Sequence, residues 1–126
     1  MAGIVVRDAH YPGRAPVESY GNGGFRFAGM SHRGSILCVP SGIYGWDPDG
    51  VIDRITLARV LEEADGIEVL LVGTGREMQP LAPDLAAALR EAGIVADAMS
   101  TGAAVRTFNV LLAEDRAVAA ALVAVD

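Results

Sequence analysis

Val69-Leu70-Leu71-Val72-Gly73-Thr74-Gly75 is the stretch that decides the fold. An uninterrupted apolar run closed by glycine suits a strand covered on both faces, as happens where helices flank a sheet. Upstream of it, Leu57, Val60, Leu61 and Ala64 fall at the i, i+3, i+4, i+7 spacing of one helical face, with Thr56 placed to cap the start and Gly66 to end it. Downstream, Leu85, Ala88, Leu89 and Ala92 repeat that spacing, with Pro83 in the first turn and Gly93 as the stop. Residues 94–98 then read as a strand. Thr101 reads as the cap of a third helix carrying the stripe Val105, Phe108, Leu111 and Leu112, and residues 117–125 as a buried terminal strand. Strands alternating with helices predict an α/β fold on a largely parallel central sheet.

Further out, towards the N-terminus, the texture changes. Short β-leaning runs at residues 4–7, 17–20, 25–28 and 35–39 are separated by Pro12-Gly13, Gly21-Asn22-Gly23-Gly24 and Gly29, which predicts a small antiparallel meander. Pro40-Ser41-Gly42 and Trp46-Asp47-Pro48-Asp49-Gly50 bracket a segment too rich in turn formers for regular structure, so a loop is expected there. The 126 residues show no repeat and no linker, and one domain spanning 1–126 is expected.

Composition narrows the function classes. Sixteen acidic residues stand against ten basic ones, all arginine, for a net charge of −6. A phosphate-backbone binder shows the reverse balance, so nucleic acid is not an expected partner, nor is an anionic membrane surface. No apolar run approaches the roughly 18 residues of a membrane-spanning helix. The start of the sequence does not read as a signal or transit segment, and a cytoplasmic location is expected. The abundant alanine and the missing lysine suggest a GC-rich bacterial source. Cys38 is the single cysteine; within Ile36-Leu37-Cys38-Val39 it reads as a small buried hydrophobe, chemically inert, and its spacing to His10 or His32 does not make a thiolate and base pair. These three residues match no compact metal-ligand spacing, so neither a metal nor a cofactor is expected. Glu62-Glu63 and Glu114-Asp115 read as solvated surface.

Two polar clusters follow expected strands, where open α/β sheets bind ligands. Gly73-Thr74-Gly75 lacks the third glycine and prompt helix of a dinucleotide fingerprint, because Met78, Pro80 and Pro83 intervene; its plain reading is a tight strand exit. In the second cluster the Thr101 hydroxyl, free backbone N–H groups and Arg106 would suit an anion, and Arg106 and Asn109, three apart, would share a helix side. The plain reading of that cluster is a capping threonine, an exposed arginine and an asparagine tying down a loop. Trp46, with Tyr44, reads either as a binding anchor or as a plug for the sheet's end, the plug being favoured in so small a domain.

Taken in order, Ser35-Ile36-Leu37 with Pro40 and Trp46, Leu70-Leu71-Val72-Gly73-Thr74-Gly75, Met99-Ser100-Thr101 with Ala104-Val105-Arg106-Thr107-Phe108-Asn109-Val110-Leu111, and Glu114-Asp115-Arg116 before Val118-Ala119-Ala120-Ala121-Leu122 resemble the Mth-type domain family, relatives of the mitochondrial complex I assembly factor three and of the adipogenesis-associated Mth-type protein. The likeness covers nearly the whole chain, although Asp115 stands where the family usually has glycine. It implies a three-layer fold: a central mixed sheet, flanking helices and an added N-terminal β layer. It also implies a function in protein association of the respiratory-complex assembly type, with no reaction attached. The expected site is the surface around Gly73, Thr74, Gly75, Thr101, Arg106 and Asn109, with Trp46, acting on an unidentified protein partner; the alternative is a small anionic ligand or an unrecognised reaction at the same strand ends.

Overall fold

The computed structural model describes residues 10–126, so the strand expected at residues 4–7 lies outside what it describes. Three short strands, β1 (Val17–Gly21), β2 (Gly24–Phe27) and β3 (Met30–Arg33), form an antiparallel meander. Then follow β4 (Ser35–Val39), β5 (Gly42–Trp46), α1 (Ala58–Glu62), β6 (Val69–Gly73), α2 (Pro83–Glu91), β7 (Val95–Met99), α3 (Thr101–Ala113) and β8 (Val118–Leu122). The five later strands make one mixed sheet in the order β5-β4-β8-β6-β7. Its β8-β6-β7 half is parallel and its β5-β4-β8 half antiparallel.

Period-two alternation divides the core into two layers. Ile36, Cys38, Leu71, Ala120 and Leu122 face one side of the sheet, where they meet Phe25 and Phe27 of the meander and Ala104, Val105 and Phe108 of α3. Leu37, Val39, Leu70, Val72, Ala119 and Ala121 face the other side, against Leu57 and Val60 of the α1 region and Leu85 and Leu89 of α2. All five residues of β8 are buried, as the apolar run predicted. Meander and α3, sheet, and α1 with α2 are the three layers; the expected mixed α/β fold is the one observed, but the sheet is half parallel and not largely so, because β4 and β5 join it as an antiparallel hairpin.

Three local expectations are corrected. Residues 42–46 are a strand, not a loop: Pro40 and Ser41 sit at the tip of a β4–β5 hairpin that pairs Val39 with Gly42 and Ser35 with Trp46. For the same reason residues 35–39 belong to the central sheet instead of the meander, whose third strand is Met30–Arg33. Neither Thr56 nor any other side chain caps α1; Asp53 fixes the turn leading into it, its carboxylate accepting the N–H groups of Ile55 and Thr56 at 3.0 and 2.9 Å while Thr56 Oγ1 accepts from Asp53 N–H at 2.9 Å. This reciprocal pairing satisfies N–H donors of that turn. The N–H of Thr56, foremost, holds the Asp53 carboxyl below its ordinary range. Asp115 adopts φ 63°, so the left-handed turn geometry that glycine favours is present without the glycine.

Candidate functional site

The Gly73 turn and the start of α3 meet, and their polar groups are spent on each other. Thr101 is the first residue of α3 and is fully buried. Its hydroxyl donates to Val123 O at 2.7 Å and accepts from Gly75 N–H at 3.0 Å, while its own N–H donates to Gly75 O at 2.8 Å. The cap is one residue earlier: Ser100 Oγ accepts from Ala103 N–H at 3.3 Å. Thr101 therefore has no hydroxyl to offer an anion, and the capping role expected of it is corrected to a clamp on the β6 and β8 exits. Gly73 is needed for closeness, since a Cβ there would stand 2.9 Å from Thr101 Cα and 3.2 Å from Ala104 Cβ. Gly75 takes φ +118°. Thr74 Oγ1 accepts from Gln79 N–H at 2.8 Å and lies 2.9 Å from Glu77 O, closing the loop on itself.

Asn109 turns away from Arg106. Its side chain accepts from Val17 N–H and donates to Val17 O, both at 2.9 Å, extending the backbone ladder of β1 onto α3. Its sequence reading as a tie is the one the geometry supports, and the shared ligand face with Arg106 is corrected. Arg106 stays exposed beside Arg76, Ser100, Gly102 and Gly75, around a shallow hollow of about 260 Å³. Trp46 is a plug: it is buried, and its Nε1–H donates to Thr56 O at 2.8 Å, fastening the segment before α1 onto the end of β5. Cys38 is buried, and desolvation pushes its thiol up to about 12, far from a thiolate at neutral pH. Among the described residues no three His, Cys, Asp or Glu groups are placed to hold a metal ion.

A larger cavity lies elsewhere, about 620 Å³ between the meander, β5 and α1, lined by His10, His32, Arg33, Tyr44, Asp47 and Arg59. The ring centroids of His10 and His32 are 4.7 Å apart. Burial first, and then the neighbouring His10, lower the pKa of His32, against a smaller raising contribution from the Ser35 backbone. Arg59 lies 3.8 Å over the Tyr44 ring. Nearby, Glu63 is no solvated acid: it accepts from Ser41 N–H at 2.9 Å and from the Ser41 hydroxyl at 2.6 Å, fixing the hairpin tip. Sequence reading missed this site because its residues come from four separated segments with no common spacing; the turn formers that disguised β5 hid it as well.

At the carboxyl ends of β6 and β8, residues 48–52 and 79–82 wall a cavity of about 380 Å³ with Thr74 and Val123. In its wall Val51 is 54% exposed; on the same two loops Ile55, at a separate hollow with Asp84, is 82% exposed and Met78 55%.

Comparison with known proteins agrees with this architecture. The family described as "Protein of unknown function (DUF498/DUF598)" matches residues 17–123. The chain is 32% identical over 111 residues to NADH dehydrogenase [ubiquinone] 1 alpha subcomplex assembly factor 3 of Xenopus tropicalis, covering 85% of this chain and 60% of that protein. It thus spans less than two thirds of that relative's length. Among solved structures, one described as an outer membrane protein from Bartonella henselae is 65% identical, with a TM-score of 0.91 over 93% of this chain and 100% of that one. A Bordetella pertussis protein described as a Mth938-like domain is 29% identical, with a TM-score of 0.74 over 86% and 85% of the two chains.

Proposed function

Because this chain belongs to the DUF498/DUF598 family of Mth-type domains, we propose that it is a protein-association factor of the assembly type that holds a partner without turning over a substrate. The observation that carries the reading is the exposure of Val51 in the wall of the cavity at the sheet's carboxyl end, together with exposed Ile55 and Met78 elsewhere on the same two connecting loops. Large apolar side chains left exposed mark candidate interaction surfaces. The Gly73-Thr74-Gly75 turn and Thr101 set the position of this cavity, and Arg76 and Arg106 at the neighbouring hollow add two cations for carboxylates of the partner. Asn109 and Trp46 contribute by holding β1 and the α1 segment in place. The relative named as an assembly factor supports the same reading. The setting proposed with it is cytoplasmic, in keeping with a lone buried thiol.

The test is affinity capture of tagged protein from separated cytoplasmic and membrane fractions of the native host, comparing wild type with Ile55→Asp and Arg106→Ala. Both variants should lose the same captured protein from the cytoplasmic fraction, and Arg106→Ala should leave stability within about 0.5 kcal/mol, as exposed substitutions do. Undiminished capture by both variants would overturn the surface. Reproducible turnover of a substrate by the wild type that Arg106→Ala abolishes would overturn the non-catalytic reading.

A further inference from the structure

β7 is the edge strand of the parallel half of the sheet, with β6 on one side of it. Two hydrogen bonds fix which of its backbone groups are used: Val95 N–H donates to Glu68 O at 3.0 Å, and Met99 O accepts from Thr74 N–H at 2.9 Å. Along a strand, alternate residues turn their N–H and C=O to opposite sides. Val95, Asp97 and Met99 therefore bond to β6, while Ala96 and Ala98 present their N–H and C=O groups on the free side. Among the described residues no segment takes up those groups.

The opposite edge of the sheet is treated differently. There Tyr11 bridges Ile43 of β5, Ile43 N–H donating to Tyr11 O at 2.9 Å and His10 N–H to Ile43 O at 2.8 Å. Sheet edges are ordinarily blunted by proline, lysine, a bulge or a covering segment. β7 contains no proline or lysine and holds register with β6 throughout, without a bulge. One of its faces is open too. Asp97 stands beside Leu71 on the α3 side of the sheet, but α3 packs on β6 and β8 far more than on β7. On that face Val95 is 65% exposed and Asp97 is exposed as well. Neither ion pair among the described residues, Arg59–Glu63 or Arg116–Glu68, includes Asp97.

We propose that β7 is a docking edge for an extended segment of another protein, which joins the sheet as an antiparallel strand and sets a lysine or arginine opposite Asp97. In that pairing Ala96 and Ala98 each exchange two backbone bonds with the incoming strand. Asp97 falls at the pair between them, where opposed side chains stand closest. A cation there gives Asp97 the partner it lacks, and an apolar side chain two residues along the same face covers Val95. A second copy of this chain fits poorly. Pairing β7 with itself about a two-fold at Asp97 satisfies the same backbone groups but sets two carboxylates directly opposite, and like charges there are destabilising. Moving the axis to Ala96 or Ala98 separates the carboxylates, but it sets the other alanine against a residue beyond the strand, Ile94 or Ser100. The edge of this acidic chain thus admits a basic strand and disfavours its own. The edge is distinct from the surface around Val51, and the proposal does not rest on that one.

The experiment is amide NMR with hydrogen exchange on isotope-labelled protein, titrated with an end-blocked seven-residue peptide that alternates threonine and valine and carries arginine at its centre. In the free protein the Ala96 and Ala98 amides should exchange fast beside protected Asp97 and Met99 amides, at any protein concentration. The arginine peptide should shift the Ala96 and Ala98 amides saturably and slow their exchange. A glutamate-centred peptide should bind about fivefold more weakly, the scale of a cross-strand charge pair. Asp97→Lys, an exposed substitution that leaves the fold intact, should invert that preference. N-methylation of the two threonines beside the centre, which removes the donors to Ala96 and Ala98 C=O, should abolish binding. The proposal fails if the arginine peptide leaves those amides unmoved, if Asp97→Lys keeps the wild-type preference, or if the N-methylated peptide binds as well. Protection of Ala96 and Ala98 that grows with protein concentration in the absence of peptide would make a second copy the occupant and overturn it too. Ile55→Asp should bind the peptide as the wild type does, which separates failure at this edge from failure of the surface around Val51.

Discussion

The start of α3 and the floor of the β4–β5 hairpin are both places where polar residues gather at the rim of a sheet, yet they use their polarity in opposite ways. At α3 the hydroxyls and the amide that looked available are consumed, while Arg106 stays exposed: Thr101 is bonded at both its hydroxyl and its N–H, Thr74 closes its own loop, and Asn109 completes the edge of β1. At α3 the partners are brought in from β1, the β6 exit and the segment after β8, whereas over β5 the histidines and Arg33 line a cavity, the two imidazoles resting on Gly45. Clustering in sequence is thus poor guidance to a site.

The contrast is broken most directly at Thr101. Thr101→Val keeps the shape but leaves Gly75 N–H and Val123 O without their buried partner, and should cost about 3 kcal/mol in urea unfolding. A loss below about 1 kcal/mol would mean that the hydroxyl is dispensable for folding and so available to a ligand. Next comes Gly73→Ala, which thrusts a methyl group against the α3 backbone and should cost about 2 kcal/mol by the same measurement. Asn109→Ala removes two bonds to Val17 from a half-buried position and should cost about 1.5 kcal/mol, with faster amide exchange confined to β1. At the hairpin the expected effect is smallest and of another kind. His32 has a folded pKa below its ordinary 6.5, so between those two values the unfolded chain binds more protons. Stability should rise with pH across that window and level off above it, and His32→Gln should flatten the rise. A pH-independent melting temperature in the wild type would place His32 in ordinary solvent and erase the difference between the two regions.

The second half of the chain was legible because its period changes from strand to helix and back, and because glycine or proline marks each change. Residues 69–73 and 118–122 were recognisable as buried strands for the same reason: both faces are covered, so no polar residue interrupts them. The hairpin was not legible. Gly42 and Gly45 weaken the strand signal of β5, and Asp47-Pro48-Asp49-Gly50 after it extends the appearance of a loop; only pairing with β4 makes those residues a strand. Nor does alternation say which sheet a strand joins, so residues 35–39 read as part of the meander until β8 was found beside them. At the α3 start the segment was right and the roles were not. Ser100 and Thr101 are both good caps, and which of them is buried depends on Val123, more than twenty residues away.

The position of β8 in the sheet has a consequence for synthesis. It is the last strand in the chain but lies third of five, with β4 antiparallel on one side and β6 parallel on the other. In the finished sheet β8 alone joins the β5-β4 pair to the β6-β7 pair, so a chain lacking it would leave β4 and β6 each with an unpaired backbone edge. A nascent chain held short of that strand exposes those edges to whatever is near, including other copies of itself. Native pairing cannot spread outwards from the ribosome-distal end; it completes only when the final strand slots between two waiting halves. Stalled or truncated products ending before Val118 are therefore the forms of this protein most in need of a chaperone.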